Sequence, residues 1–169
     1  VHNAVAAAAL ALAAGLSLAE VSDGLRNFSN IKGRLNIKQG IKGATLIDDT
    51  YNANPDSMKA AIDVLAAMPA SRIFVMGDMG ELGEDEAAAM HAEVGAYARD
   101  KGIEAAYFVG DNSVEAAEMF GAEGLWFADK DPLIQVLSHD LPERATVLVK
   151  GSRFMKMEEV VEALVATTA

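Results

Sequence analysis

Apolar and polar positions follow three successive patterns along this 169-residue chain. The first is Ala4 to Ala14, a run of 11 residues made only of Ala, Val and Leu. A helix that is apolar all round has to be covered by protein on every side. The run therefore predicts a buried helix, with Asn3 as its candidate cap. The second pattern is amphipathic: Leu18, Val21 and Leu25 share one helical face, and Ser17-Leu18-Ala19-Glu20 has the spacing of a capping box. Asn27 to Gly33 then reads as a loop, and Arg34–Lys38 and Ala44–Ile47 as two short strands joined at Gly40–Gly43.

The third pattern alternates short apolar segments with helical periodicity. The expected helices are Pro55–Met68, Asp85–Lys101, Val114–Met119, Pro132–Leu137 and Met157–Val165. The expected strands are Arg72–Met76, Ala105–Val109, Leu125–Phe127 and Thr146–Val149, with Trp126 and Phe127 filling the core. Strands apolar on both sides and separated by helices build a mostly parallel sheet covered on both faces. The predicted fold class is α/β: a Rossmann-like three-layer domain with a mostly parallel sheet, preceded by a β-hairpin and two helices.

Composition then narrows the function. Fourteen Lys and Arg stand against 25 Asp and Glu, a net charge of −11, which argues against nucleic acid as a partner because no positive field offsets phosphate repulsion. Cysteine is absent, which excludes a thiolate nucleophile, a disulfide framework and cysteine-ligated metals. Ala4–Ala14 falls short of the roughly 20 apolar residues a bilayer span needs and lacks the basic start of a signal peptide, so no membrane span is expected. One segment runs against the overall charge. Gly24 to Ile47 holds Arg26, Lys32, Arg34, Lys38 and Lys42 and no acid, which points to an anionic ligand. The chain opens at Val1 on a helix-forming sequence and is expected to be an internal piece of a longer protein.

The chemistry-bearing residues follow the predicted strands, on the rim where open α/β sheets bind ligands. The densest run is Asp48-Asp49-Thr50-Tyr51-Asn52-Ala53-Asn54-Pro55. One carboxylate there could accept from both hydroxyls of a ribose or orient an amine, and the amides could bridge nucleotide or backbone groups. Asn54 equally suits a helix cap ahead of Pro55. Gly77-Asp78-Met79-Gly80-Glu81-Leu82-Gly83 has the wrong spacing for a dinucleotide loop. Asp78, at the strand end, is a candidate to hold a lysine, a metal-bound water or a substrate amine, with a turn-stabilising role as the plain alternative. Lys150-Gly151-Ser152-Arg153 offers two cations and a hydroxyl, suited to a carboxylate or a phosphate. His91 and His139 have no ligand spacing around them, and no Gly-x-x-x-x-Gly-Lys-Ser/Thr loop occurs.

Three of these runs, separated and in this order, resemble signatures of the C-terminal domain of the Mur ligase family, and specifically of its members that add a D-alanyl-D-alanine dipeptide. They are Asp48 to Met58, Gly77 to Gly83 and Val149 to Arg153. The stretch from Asn3 to Leu10 is similar to the helix that closes the family's central ATP-binding domain. The resemblance implies that residues 1–31 are the tail of that central domain and residues 32–169 the C-terminal domain. It further implies a cytoplasmic, ATP-dependent, amide-forming ligase of peptidoglycan synthesis acting on UDP-N-acetylmuramoyl-tripeptide and D-alanyl-D-alanine. ATP and Mg2+ would be bound mainly by the central domain. The tripeptide carboxylate would attack the γ-phosphate to give an acyl phosphate, from which the dipeptide amine would displace phosphate.

By the same resemblance, Asn3, Arg34, Asp49 and Asn52 face the nucleotide, Arg34 at the phosphates and Asp49 at the ribose hydroxyls. Arg34, Asp78 and Lys150 are the catalytic candidates, and Tyr51, Asn54, Ser152 and Arg153 the substrate-binding ones; none is a metal ligand. The chain by itself is expected to be inactive. Two other readings suit the residues: a receiver-like signalling domain with Asp48, Asp49 and Lys150 as its acidic pocket and lysine, and a non-catalytic interaction domain in which Arg34, Asp49, Asp78 and Lys150 do not converge.

Overall fold

The structure, a computed structural model, describes residues 2–27 and 32–166, the side chains of His2, Asn3 and Glu84 excepted. Most of the loop expected between Asn27 and Gly33 therefore lies outside the described residues. The chain divides into two compact units, Val1–Ile31 and Lys32–Ala169.

The first unit is a pair of helices, α1 (His2–Ala13) and α2 (Leu18–Arg26). Asn3 lies inside α1 instead of capping it. The capping box at Ser17 forms as its spacing predicts: the Glu20 amide donates to Ser17 Oγ, and the Ser17 amide donates to the Glu20 carboxylate at 2.8 Å. The expectation that α1 is covered on every side is not met within this chain, where Val5 and Leu10 are 62% and 73% exposed.

The second unit is built on six strands: β1 (Asn36–Gln39), β2 (Thr45–Asp49), β3 (Arg72–Gly77), β4 (Ala105–Val109), β5 (Gly124–Phe127) and β6 (Thr146–Lys150). Between and after them run α3 (Pro55–Ala66), α4 (Glu84–Asp100), α5 (Ser113–Phe120), α6 (Lys130–Asp140) and α7 (Glu158–Leu164). The sheet order is β1-β2-β6-β3-β4-β5. Only β1 runs antiparallel, closing the predicted hairpin with β2; every other neighbouring pair is parallel.

Strand alternation explains the layers. Ile47, Phe74, Met76, Phe108 and Leu148 point to one face, where α3, α4 and α5 cover them. Leu46, Ile73, Val75, Val147 and Val149 point to the other, under α6 and α7. This is the three-layer α/β domain that the hydrophobic pattern predicts. The strand order removes the receiver reading: the parallel strands taken in chain order lie as 1-5-2-3-4, whereas a receiver-type sheet runs 2-1-3-4-5.

Three details differ from expectation. β2 runs to Asp49, because its parallel pairing with β6 continues through Asp48↔Val149 and Asp49↔Lys150, so both aspartates are strand residues. Trp126 sits on the edge strand β5, 42% exposed, with its indole N–H donating to the Gly110 carbonyl instead of filling the core. Met157, the expected first residue of the last helix, instead precedes α7 and is wholly buried where Gly77 and Gly151 leave room for it.

Candidate functional site at the strand exits

The rim is assembled by turns whose backbone is forced. Gly33 has φ +74°, a conformation that side chains disfavour, and a Cβ there would lie 2.9 Å from the Tyr51 amide nitrogen. The Tyr51 N–H donates to the Gly33 carbonyl at 2.9 Å, tying the approach to β1 onto the exit of β2. Within this turn the Arg34 guanidinium lies 4.5 Å from the centroid of the Tyr51 ring, a cation–π contact that aims the cation along the rim. Both residues are exposed, so their outward faces are open to a ligand.

The two aspartates of β2 part company because successive strand residues face opposite ways. Asp48 is fully buried; Lys38 of β1 donates to Oδ2 at 2.8 Å and the Thr50 hydroxyl to Oδ1 at 2.7 Å. Burial alone would raise its pKa, but the bonds from Lys38 and Thr50 outweigh burial and hold the carboxyl below the usual carboxylate range. Asp49 points to the α3 side. The Leu35 amide donates to its Oδ1 at 3.1 Å, and Lys150 Nζ donates to its Oδ2 at 2.6 Å. Lys150, 1% exposed, also donates to the Asn52 carbonyl at 2.9 Å.

Ser152 ties three exits together. Its hydroxyl accepts from the Gly80 amide at 2.6 Å and faces the Ala53 carbonyl at 3.4 Å, while its own amide donates to the Asp78 carbonyl at 3.0 Å. The Asp78 side chain turns toward the exit of β4, accepting from the Ser113 hydroxyl at 2.6 Å and from the Asn112 amide at 3.1 Å. Gly110 fits because a Cβ there would run into the Asp78 carboxylate. Buried His91 completes the frame: one ring nitrogen accepts from the Met79 amide at 2.9 Å and the other donates to the Ala87 carbonyl at 2.7 Å. Asn54 is the cap of α3, accepting from the Ser57 amide at 2.8 Å.

The sequence candidates thus sort into two groups. Arg34, Tyr51, Asn52 and Arg153 present exposed side chains at the rim, although Arg153 also donates to the Glu158 carboxylate at 2.8 Å and Asn52 Oδ1 accepts from the Ala53 amide at 2.8 Å. Asp49, Lys150, Ser152, Asp78 and Asn54 are engaged with protein partners that hold the rim in shape. The side chain of Asn3 lies outside the described residues. The rim carries a cleft of about 490 Å³ lined by Asn52, Gly80, Glu81, Ser152, Arg153 and Phe154. A second of about 330 Å³ shares Gly80, Glu81 and Phe154 with it and extends to Met79 and Asn112. These volumes suit small ligands. Sequence reasoning missed Phe154 and Asn112; the available clue was a large apolar side chain beside Arg153 in an otherwise polar turn. Among the described residues, no group of three or more His, Asp or Glu side chains is placed to hold a metal ion.

A parallel α/β sheet whose strand exits gather an arginine, a held carboxylate and paired clefts defines an α/β domain with a ligand-sized site on its rim. The chain belongs to the Mur ligase family: residues 33–153 match its domain described as "Mur ligase, glutamate ligase domain". It is 45% identical over 166 residues to UDP-N-acetylmuramoyl-tripeptide–D-alanyl-D-alanine ligase of Escherichia coli K12, covering 97% of this chain and 36% of that protein. Among solved structures it resembles MurF of Acinetobacter baumannii, with a TM-score of 0.83 and 38% identity over 95% of this chain and 36% of that one. It also resembles MurF ligase of Thermotoga maritima in complex with ADP, with a TM-score of 0.77 and 25% identity over 92% of this chain and 35% of that one. The chain spans about 36% of the length of the curated relatives it matches.

Proposed function

We propose that this chain is the carboxy-terminal part of a cytoplasmic ATP-dependent ligase that joins D-alanyl-D-alanine to UDP-N-acetylmuramoyl-tripeptide. Residues 1–31 would be the tail of its central ATP-binding domain and residues 32–169 its closing domain. The observation that carries this reading is the clustering of Arg34, Tyr51, Asp49, Lys150 and Arg153 at the exits of β2 and β6 in a chain aligned over 97% of its own length with such a ligase. α1 would then bury its exposed apolar side chains against the rest of the central domain.

In this reading Asp49 accepts from the ribose hydroxyls and Arg34 approaches the ATP phosphates. When the tripeptide carboxylate takes the γ-phosphoryl group from ATP, ADP leaves and an acyl phosphate forms. Arg34, a fixed cation, offsets the charge that develops on the transferring group. Arg153 engages the dipeptide carboxylate at the cleft, with Tyr51 and Asn52 beside it, so that the amine meets the acyl carbon in line. Attack by that amine forms the amide and releases phosphate and a proton. Mg2+ usually travels with nucleotide phosphates and few protein carboxylates, so it would be held by groups outside this chain.

Steady-state kinetics of the full-length enzyme test the reading. Asp49→Ala should raise the KM for ATP about tenfold or more, and Arg153→Ala the KM for D-alanyl-D-alanine by a similar factor, each leaving the other KM unchanged. The present chain alone should form no amide. Unchanged KM values in both variants, or amide formation by this chain alone, would overturn the assignment.

A further inference from the structure

Among the described residues Lys150 is the largest buried polar side chain, and the reaction leaves it without an evident task. It is the last residue of β6, in register with Asp49 of β2 on one side and with Met76 of β3 on the other. Its side chain is 2% exposed, and the two hydrogen bonds at 2.6 and 2.9 Å, to Asp49 Oδ2 and the Asn52 carbonyl, fix the ammonium between two segments of the rim. To meet an incoming amine or a phosphate it would have to abandon a buried carboxylate and strand that charge without its partner. A direct part in the chemistry is therefore disfavoured by the geometry.

We infer that Lys150 is a positioning residue for nucleotide recognition: it locks the Asp49 carboxylate in the orientation that accepts a vicinal diol and pins the Tyr51–Asn52 segment beside it. A carboxylate has about four acceptor positions. The Leu35 amide occupies one on Oδ1 and Lys150 one on Oδ2. Each oxygen keeps acceptor capacity for one hydroxyl, which matches two neighbouring hydroxyls on one ring. The Asn52 carbonyl contact extends the same clamp to the backbone that follows Tyr51. The inference rests on the ribose reading of Asp49 given above and adds the group that makes Asp49 selective.

The test compares ADP with 2′,3′-dideoxy-ADP on the full-length enzyme. The wild type should bind ADP about tenfold or more tightly than the dideoxy analogue, as hydrogen bonds to a charged acceptor require. Lys150→Met should bring that ratio to within about threefold by loosening the acceptor. Both ligands are read on one preparation, so the ratio does not depend on the fraction folded. D49N/K150M, which removes both buried charges, supplies a second variant: it should bind ADP as D49N does, within about twofold, because Lys150 acts through Asp49. A wild-type ratio of tenfold that persists in Lys150→Met overturns this inference alone. A wild-type ratio near one overturns the ribose reading and the inference with it. A raised KM for the dipeptide with the ratio intact would assign Lys150 to the amine instead.

Discussion

Asp48 and Asp49 are neighbours in the chain and each pairs with a lysine from an adjacent strand, yet they belong to two different regions. Asp48 lies at the β1–β2 edge, where Lys38 remains 30% exposed and Thr50 supplies further donors. Asp49 lies in the β2–β6 seam, where the Lys150 side chain is only 2% exposed. The edge pair closes a hairpin and needs nothing from outside. The seam pair stands at the exit of the central parallel strands and presents an oriented carboxylate to the rim. On the proposed reading, strand alternation, and not residue type, separates a structural acid from a site acid.

Breaking the seam should produce the largest effect. Lys150→Met takes the buried counter-charge from Asp49, leaving it the Leu35 amide as donor, and should cost about 3–5 kcal/mol of stability, read by urea denaturation of the 169-residue chain. Lys38→Met at the edge removes one hydrogen bond to a charged group while Thr50 keeps two, so about 1–2 kcal/mol is expected. A larger loss at the edge than in the seam would invert the comparison.

Acid titration sharpens it further. The folded-state pKa of Asp48 is lowered, so its stabilisation is full above the pKa of the unfolded chain and fades as pH falls through the folded value. Asp48→Asn should therefore be most destabilised relative to wild type at neutral pH, and the gap should narrow as the solution is acidified below the usual carboxylate range. A constant gap across that range would remove the electrostatic account of the edge. The smallest effect is expected on the outer surface: Glu93→Gln breaks the solvent-facing pair with Lys59 and should leave the Tm unchanged within error.

Much of this architecture was legible in the sequence. The alternation of apolar strands and amphipathic helices gave the three layers, and Ser17 and Asn54 announced their caps through the spacing to Glu20 and Ser57. The rim was legible as a set of polar runs after strands, since topology alone brings parallel strand exits together. Individual roles were not. Asp78 and Ser152 look like ligand groups in a linear reading, but their partners, Ser113 and Gly80, come from other strand exits and no local pattern announces them. The pairing of Lys150 with Asp49 spans 101 positions and depends on the register of two strands, which hydrophobic periodicity does not encode.

The most direct test of the central claim is a structure of the full-length enzyme with ADP bound. The account predicts both ribose hydroxyls within hydrogen-bond distance of the Asp49 carboxylate, still clamped by Lys150, with Arg34 directed at the phosphates. A ribose lying away from Asp49, with Arg34 turned to solvent, would contradict it.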